Sequence, residues 1–534
     1  MSGTLSLKLF LEPRWDRKQT AFLPPVLDDV VPEDAHVRIF ASIVDTLDMS
    51  QLYKAYSGGG APSYPPKVML MILLFAYFEG IRSSRRIAER CRRDTHYMWL
   101  AEMSQPDFNT ICRFRIKHER VIRGLFKQTV QACQHEGLVL LEHLAVDGTK
   151  IRADVSSKET YNKDRIDEAI VYTDRCIDAI LQDAEAQDAA DLKKEQIKEQ
   201  KKKAAAAKTS SASNDDDPEH KPGPDADDDN KTPEPQSAQM TMDIEAEGKA
   251  PDPGSREPSS YIAPDKRGEV VGKLARRKQR AVDAKERMTK NKTNTECATD
   301  PDARVMNVQG LNKPAYNAQA GVDSANHVIV AAYVSQSLND FDHIQPVLEN
   351  VIENAGFAPQ RVTADCGYCS VQNMMYFETA QIDGYIPPRK TQLKRADYLY
   401  NAKTDTIFIP APDPTGEILM TFKRIRIQDG KEYRIYHSTD RKKEAWFMTD
   451  PALDIRLHKT MRDKMITDRG KVVYRQRQQI VEPVFGRIKT RFNLRRFLLR
   501  GLSGASIEFL LACSAHNIAK IITARTRQMM PVRA

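Results

Sequence analysis

Residues 474–494 read YRQRQQIVEPVFGRIKTRFNL, a helix-prone segment in which Glu482 is the one acidic residue among Arg475, Arg477, Arg487, Lys489 and Arg491. A surface helix built for solubility interleaves both signs of charge. A lone carboxylate among cations reads instead as a metal ligand beside phosphate-binding side chains, the pairing by which a nuclease holds a divalent ion and a nucleic-acid backbone together. Pro483 implies a kink, or a helix start, next to Glu482. On a regular helix Arg475, Glu482 and Lys489 share a face, while Arg477 lies well around from them.

The net charge hides a strong asymmetry. The 534 residues carry a formal +8, but residues 214–257 hold 14 Asp and Glu against 4 Lys and Arg, which leaves the rest of the chain at +18. Residues 454–500 alone hold 14 Lys and Arg against 4 Asp and Glu. Such a surplus fits a polyanionic partner, although a charge run by itself is more often a solvated face. With 41% apolar residues the chain can bury a sizeable core, and its length suggests roughly three or four structural units. The longest strongly apolar run, VMLMILLFAYF at residues 68–78, is too short to span a bilayer and reads as a buried helix. The first residues lack a basic stretch followed by an apolar core, so no export is expected. Eight scattered cysteines fit a reducing cytoplasm. The lone Cys366-x-x-Cys369 lacks the second pair of ligands that a zinc site needs and is read as packing.

Residues 1–137 read as all helical. Pro65 and Pro66 open the buried helix, Gly80 closes it, and Ser83 or Ser84 caps a basic helix, RRIAERCRR. Pro106 and Asp107 introduce another, DFNTICRFRIKHER. Arg85, Arg86, Arg90, Arg92, Arg93, Arg113, Arg115 and Lys117 on these helices suit a helix-turn-helix-like DNA reader; a packing module with a solvated basic face is the alternative. From residue 138, LVLLEHLAVDGTKI reads as a buried strand ending at Asp147. That carboxylate is either functional or the first residue of an Asp-Gly hairpin turn. Residues 158–291 read as a charged helical hairpin, interrupted at about 212–260 by an acidic insert too poor in apolar residues to order itself.

Strand-like runs return at PDARVMNVQG and AYNAQAGVDSANHVIVAAYVS, followed by a helix opened by Asn339 or Asp340 and closed at Gly356. A further strand, RVTADCGYCS, carries Asp365. Strands, then helix, strand and helix, suggest an α/β layer in which Asp147 and Asp365 end neighbouring strands. Residues 389–453 read as β-rich, with Asp429-Gly430 as a hairpin turn and Arg424 and Arg426 alternating with Ile425 and Ile427. This Arg-faced ribbon is expected beside the carboxylates. Residues 454–534 return to helix, first the one with Glu482 and then a packing helix at residues 503–525.

The order Asp147, Asp365, Glu482, with Asp-x-Gly-Tyr at the second position and Tyr474, Arg477, Glu482 and Lys489 at the third, resembles bacterial insertion-sequence transposases of the DDE class. More narrowly, it resembles the branch bearing a Tyr-Arg-Glu-Lys signature. The likeness runs from about residue 138 to 497, less the acidic insert, and the N-terminal helices look like the domain that accompanies this branch. It implies an α/β protein. A ribonuclease-H-like core (residues 138–157, 292–388 and 454–534) would carry a β-rich insertion (389–453) behind an all-helical N-terminal domain (1–137).

The implied activity is metal-dependent DNA transposition, in which element ends are cut and the 3′ ends are joined to target DNA. The partner would be double-stranded DNA, bound by a homodimer in the cytoplasm at the nucleoid, with no membrane. Asp147, Asp365 and Glu482 would hold two Mg²⁺ ions, or Mn²⁺; hard ions select carboxylate oxygens, and in-line phosphoryl transfer uses two of them about 4 Å apart. Tyr474, Arg475, Arg477 and Lys489 would meet DNA at the site, and Arg85, Arg86 and Arg113 would meet it on the N-terminal helices. The signature has three residues between Arg and Glu where this chain has four, so Arg475 is a candidate to take the place of Arg477. Two other classes of function fit the same residues: a catalytically inactive DNA-binding regulator, and a non-transposing nuclease of the same fold.

Overall fold

The run HLAVDGTKIR forms a ten-residue strand, β1 (His143–Arg152), at the centre of the main sheet of the computed structural model. It pairs antiparallel with β2 (Leu311–Asp323) along its length, from Leu144 opposite Asp323 to Arg152 opposite Ala315. β2 in turn pairs antiparallel with β3 (Ile329–Ser335) and, through its first residues, with Arg304–Val308. On its other edge β1 pairs parallel with β4 (Arg361–Thr363), which pairs parallel with β5 (Asp383–Tyr385). The order β3-β2-β1-β4-β5 thus has three antiparallel strands followed by two parallel ones. β2 is buried without a break from Pro314 to Asp323, as expected of a strand covered on both faces.

Contrary to the sequence reading, Asp147 neither ends its strand nor opens a hairpin. β2 stays hydrogen-bonded to β1 past it, so the strand continues to Arg152. What stops is the other neighbour: β4 leaves β1 opposite Ala145. A single bridge from Arg152 to Arg496 closes that edge again. Among the described residues, no strand lines β1 between these points, and this gap holds Asp147.

The described residues are 26–54, 64–156, 159–209, 262–410, 416–428, 431–440, 442–448 and 450–529. They fall into two compact units, Met1–Val155 with Asp300–Ala534, and Ser156–Thr299. In the first, α1 (Pro66–Phe78), α2 (Ser84–Arg93), α3 (Phe108–Lys117) and α4 (Glu119–His135) precede the sheet, α5 (Ile344–Ala355) lies between β3 and β4, and α6 (Asp468–Thr490) and α7 (Gly501–Met529) follow it. Nearly every residue of α1 is buried, and Pro66 supplies the pre-set φ of a helix start. α7 packs against α1, α4 and β3. It is long and apolar enough to cross a bilayer by composition, but its most apolar 18-residue window is 83% buried inside the protein, as in a core helix.

Between Thr363 and α6 the chain also forms an antiparallel meander of five strands from Leu399 to Phe447, packed on Ile407, Met420, Tyr436 and Phe447. The Asp429-Gly430 turn lies outside the described residues. The second unit pairs Thr160–Asn162 with Thr295–Cys297 and packs helices Ile166–Thr209 and Pro264–Asn291 together. Its ion pairs Lys285 to Asp167, Lys278 to Asp174 and Arg267 to Asp183 advance along one helix as they retreat along the other, so the helices are antiparallel. The acidic stretch at 212–260 is outside the described residues.

One buried charge cluster ties the N-terminal helices to α7. The fully buried Glu508 pairs with Arg82 at 2.8 Å, lies 4.0 Å from Arg115, and accepts the backbone N–H groups of Leu498 and Leu499 at 3.0 and 3.1 Å. Arg115 also donates to Ser84 Oγ and the Arg82 carbonyl. Arg115, read from sequence as one of the DNA-facing cations, is therefore a core residue. Removing one member of a buried ion cluster strands the others without solvent, which costs about 3–5 kcal/mol. Glu508→Ala should lose stability of that order in urea denaturation, and a loss below about 1 kcal/mol would contradict this role.

Candidate active site

Asp147 and Asp365 come together across the gap at the edge of β1. Asp365 follows β4 directly and caps a short turn, Cys366–Tyr368, by accepting the Gly367 N–H at 2.7 Å. Asp147 Oδ1 accepts the Gly148 N–H at 2.9 Å. Between the two carboxylates stands one guanidinium: Arg477 Nη2 is 3.0 Å from Asp147 Oδ1 and 3.8 Å from Asp365 Oδ2. α6 turns Val473, Arg477, Ile480, Val481, Val484 and Ile488 inward, so Arg477 is a buried cation in an otherwise apolar stripe. Burial pushes the Asp147 carboxyl up to about 6; Arg477 opposes that shift, and the nearby charges of Asp365 and Asp340 add to it.

Two other cation-helix residues face this pair. Tyr474 is half-buried, and its hydroxyl is pushed up by burial, with Arg477, Asp365 and Asp147 among its charged neighbours. Lys489 is half-buried too; burial pushes its ammonium down while Asp147 holds it up. Arg475 points to solvent. The longer Arg-to-Glu spacing thus does not hand Arg477's place to Arg475, because Arg477 is the one whose helical position faces the sheet. α6 runs unbroken from Asp468 to Thr490 with Pro483 inside it, so no helix starts at Glu482.

Glu482 itself is exposed and makes no hydrogen bond or ion pair among the described residues. Nor do any three His, Cys, Asp or Glu side chains among the described residues stand as a ready metal cage. Asp147 and Asp365 share the guanidinium of Arg477, and Glu482 is exposed on α6.

Several residues around the pair were not read from the sequence. Asp340, taken as a helix cap, accepts from Asn317 and Gln319 of β2, both at 2.7 Å. Tyr368 donates to Gln319. Arg389 reaches the carbonyls of Cys366 and Gly367 at 3.0 and 3.4 Å and lies 4.1 Å over the Phe341 ring. The tip of the β ribbon comes near through Lys431, paired with Asp342 at 2.8 Å, while Arg424 and Arg426 are exposed along it. Cys366 is exposed and Cys369 buried, both as free thiols. On the N-terminal helices Arg85, Arg86 and Arg113 are exposed, Arg85 lying 5.0 Å over the Phe108 ring.

The pair suits a hard divalent cation. Its donors are carboxylate oxygens, and a cation, Arg477, already occupies the space between them. A carboxyl raised by burial costs folding free energy; the cost is full above its folded value and shrinks as pH falls from there toward its ordinary value of 3.8. Removing Arg477 takes away a contribution that holds Asp147 down, so its carboxyl moves further up. In metal-free protein Arg477→Met should lose on the order of 3 kcal/mol at pH 8. The gap to wild type should close below about pH 6 in urea titrations with EDTA, where Asp147 is protonated in both proteins. An equal loss at pH 8 and pH 5 would contradict the pairing.

Residues 276–518 match the family model described as the transposase DDE domain, and residues 25–117 match one described as a transposase domain (DUF772). The first match includes Asp365, Arg477, Glu482 and Lys489 and begins after Asp147; the second covers α1 to α3. No curated protein and no solved structure matches the chain. Two transposase models on separate parts of one chain support a transposase of the DDE type.

Proposed function

We propose that this protein is an insertion-sequence DNA transposase with a ribonuclease-H-like core, which cleaves at element ends and joins the freed 3′ ends to target DNA. The observation that carries the reading is the Asp147–Arg477–Asp365 cluster in the gap beside β1. It lies in a six-stranded sheet with an antiparallel part and two parallel strands at one edge, with one aspartate on the central strand and the other just past its parallel neighbour. The basic helix α6 supplies the cations.

In this reading Asp147 and Asp365 hold the shared cation position and Glu482 completes the set from α6. Asp147, Asp365 and Glu482 would hold two Mg²⁺ or Mn²⁺ ions, which would supply Lewis-acid activation of a water or 3′-hydroxyl and stabilisation of the leaving oxygen. Arg477 neutralises the aspartate pair when nothing else does. Lys489 and Tyr474 bind a phosphate of the element end, the lysine by charge and the tyrosine by a hydrogen bond. Arg85, Arg86 and Arg113 add sequence-independent attraction along flanking DNA, with Arg475 on the outer face of α6.

The test is cleavage of DNA carrying the ends of the encoding element, with Mg²⁺. Asp147→Asn, Asp365→Asn and Glu482→Gln should each lower cleavage on the order of a thousandfold or more while leaving DNA binding intact. Joined products should appear with wild type when target DNA is added. Wild-type cleavage by all three variants would refute the triad; cleavage without joined products would mark a nuclease that does not transpose.

A further inference from the structure

Resting on the reading of DNA as the partner, we propose that Arg389 is a further phosphate-binding residue of this site, holding the DNA backbone beside Asp365. β5 runs parallel to β4 with Tyr385 opposite Thr363, so the two strands end on the same side of the sheet. Asp365 comes two residues after β4, and Arg389 comes four residues after β5. Pro387 and Pro388 lie in between, and their fixed φ stiffens the lead into Arg389. The crevice outside the carboxyl ends of parallel strands is where open α/β sheets take their ligands.

The guanidinium is held from two directions. Nε donates to the Cys366 carbonyl at 3.0 Å and Nη2 to the Gly367 carbonyl at 3.4 Å, on the two residues that follow Asp365. Its Cζ stands 4.1 Å from the centre of the Phe341 ring, a stacking that planar guanidinium groups favour. Phe341 is itself fixed, since its carbonyl accepts from Ser370 Oγ at 2.9 Å and from Asn373 Nδ2 at 2.6 Å. Asn373 also donates to the Tyr368 carbonyl at 2.7 Å. Ring, turn and guanidinium thus form one braced unit that starts at Asp365.

These contacts fix the group and leave its charge unmatched. Carbonyls and a ring are neutral; Arg389 makes no ion pair among the described residues, and its Nη1 has no hydrogen-bond partner among them. A clamp on the turn needs no charge, because Gln392 holds the Cys369 carbonyl of the same turn with a neutral amide at 2.9 Å. Other arginines nearby in the chain are matched, Arg395 by Asp454 and Arg456 by Glu378, and Arg477 is committed to Asp147. Arg389 is only partly buried. A guanidinium with a fixed plane, an unmatched charge and free N–H donors fits the oxygens of a phosphate. Tyr474 and Lys489 belong to α6, whereas Arg389 comes from the end of β5, so a DNA strand at the aspartates is met from two separate elements.

Salt dependence separates a phosphate contact from a structural clamp. Each phosphate neutralised on duplex DNA contributes about 0.9 to the slope of log affinity against log salt. Full-length protein in EDTA is titrated into a fluorescein-labelled duplex carrying an element end, anisotropy is read between about 50 and 200 mM KCl, and folding is checked by circular dichroism. Arg389→Gln keeps an amide donor and Arg389→Met keeps an apolar contact with the ring; both remove the charge and should lower the slope by about one. Arg389→Lys should keep the wild-type slope. Arg456→Gln, the same change of charge at a cation already paired with Glu378, should keep it too. If folded Arg389→Gln or Arg389→Met keeps the wild-type slope, whatever its affinity, Arg389 only clamps the turn and this inference fails alone. An equal fall in slope for Arg456→Gln would mark long-range charge rather than contact and would also overturn the assignment. If wild type shows no salt-dependent binding to the duplex, the reading of DNA as the partner fails and takes this inference with it.

Discussion

Two aspartates on neighbouring strands repel each other unless a cation stands between them, and the centre of this molecule is built around that constraint. In a partly buried site the repulsion of like charges is much larger than in water, because the medium screens it less. The fold answers with Arg477, drawn from an apolar face of α6 to within 3.0 Å of Asp147. Everything that positions the three residues follows from ordinary packing. β2 holds β1 straight through Asp147, β4 departs to open the gap, and the inward stripe of α6 lays Arg477 over it.

The same logic of buried charge appears at Glu508, with a different result. There the acid is central and the cations converge on it, from the turn after α1 and from α3, while two backbone N–H groups complete its shell. No open edge adjoins it, so the cluster reads as an anchor that fastens the N-terminal helices onto α7. Both clusters use arginine, but Glu508 is fully buried, whereas Asp147 and Asp365 keep part of their side-chain surface in solvent.

Much of this was legible in the sequence. The apolar run at 68–78, the strand-like runs around residues 315–335 and the helical spacing at 344–355 gave the right kinds of element, because each is a local signal. The basic helix with its single carboxylate was legible for the same reason. What escaped was decided by long-range pairing. Asp147 looked like a strand end because Asp-Gly is a turn signal, and only the continued hydrogen bonding of β2 overrides it. Arg477 looked displaced because helical spacing was counted from Glu482, whereas the sheet fixes which face is inward. Asp340 looked like a cap because its partners, Asn317 and Gln319, sit on a strand two elements earlier. Glu482 stands out in the sequence by its charge, yet on α6 it is exposed, because the inward face of that helix is set by the sheet.

The most direct measurement is diffraction at the manganese absorption edge from crystals of the full chain grown with Mn²⁺. An anomalous peak should stand between Asp147 and Asp365, with the Arg477 guanidinium moved off the pair. Manganese bound only elsewhere, or an intact Asp147–Arg477–Asp365 cluster without manganese at millimolar concentrations of the ion, would contradict the account.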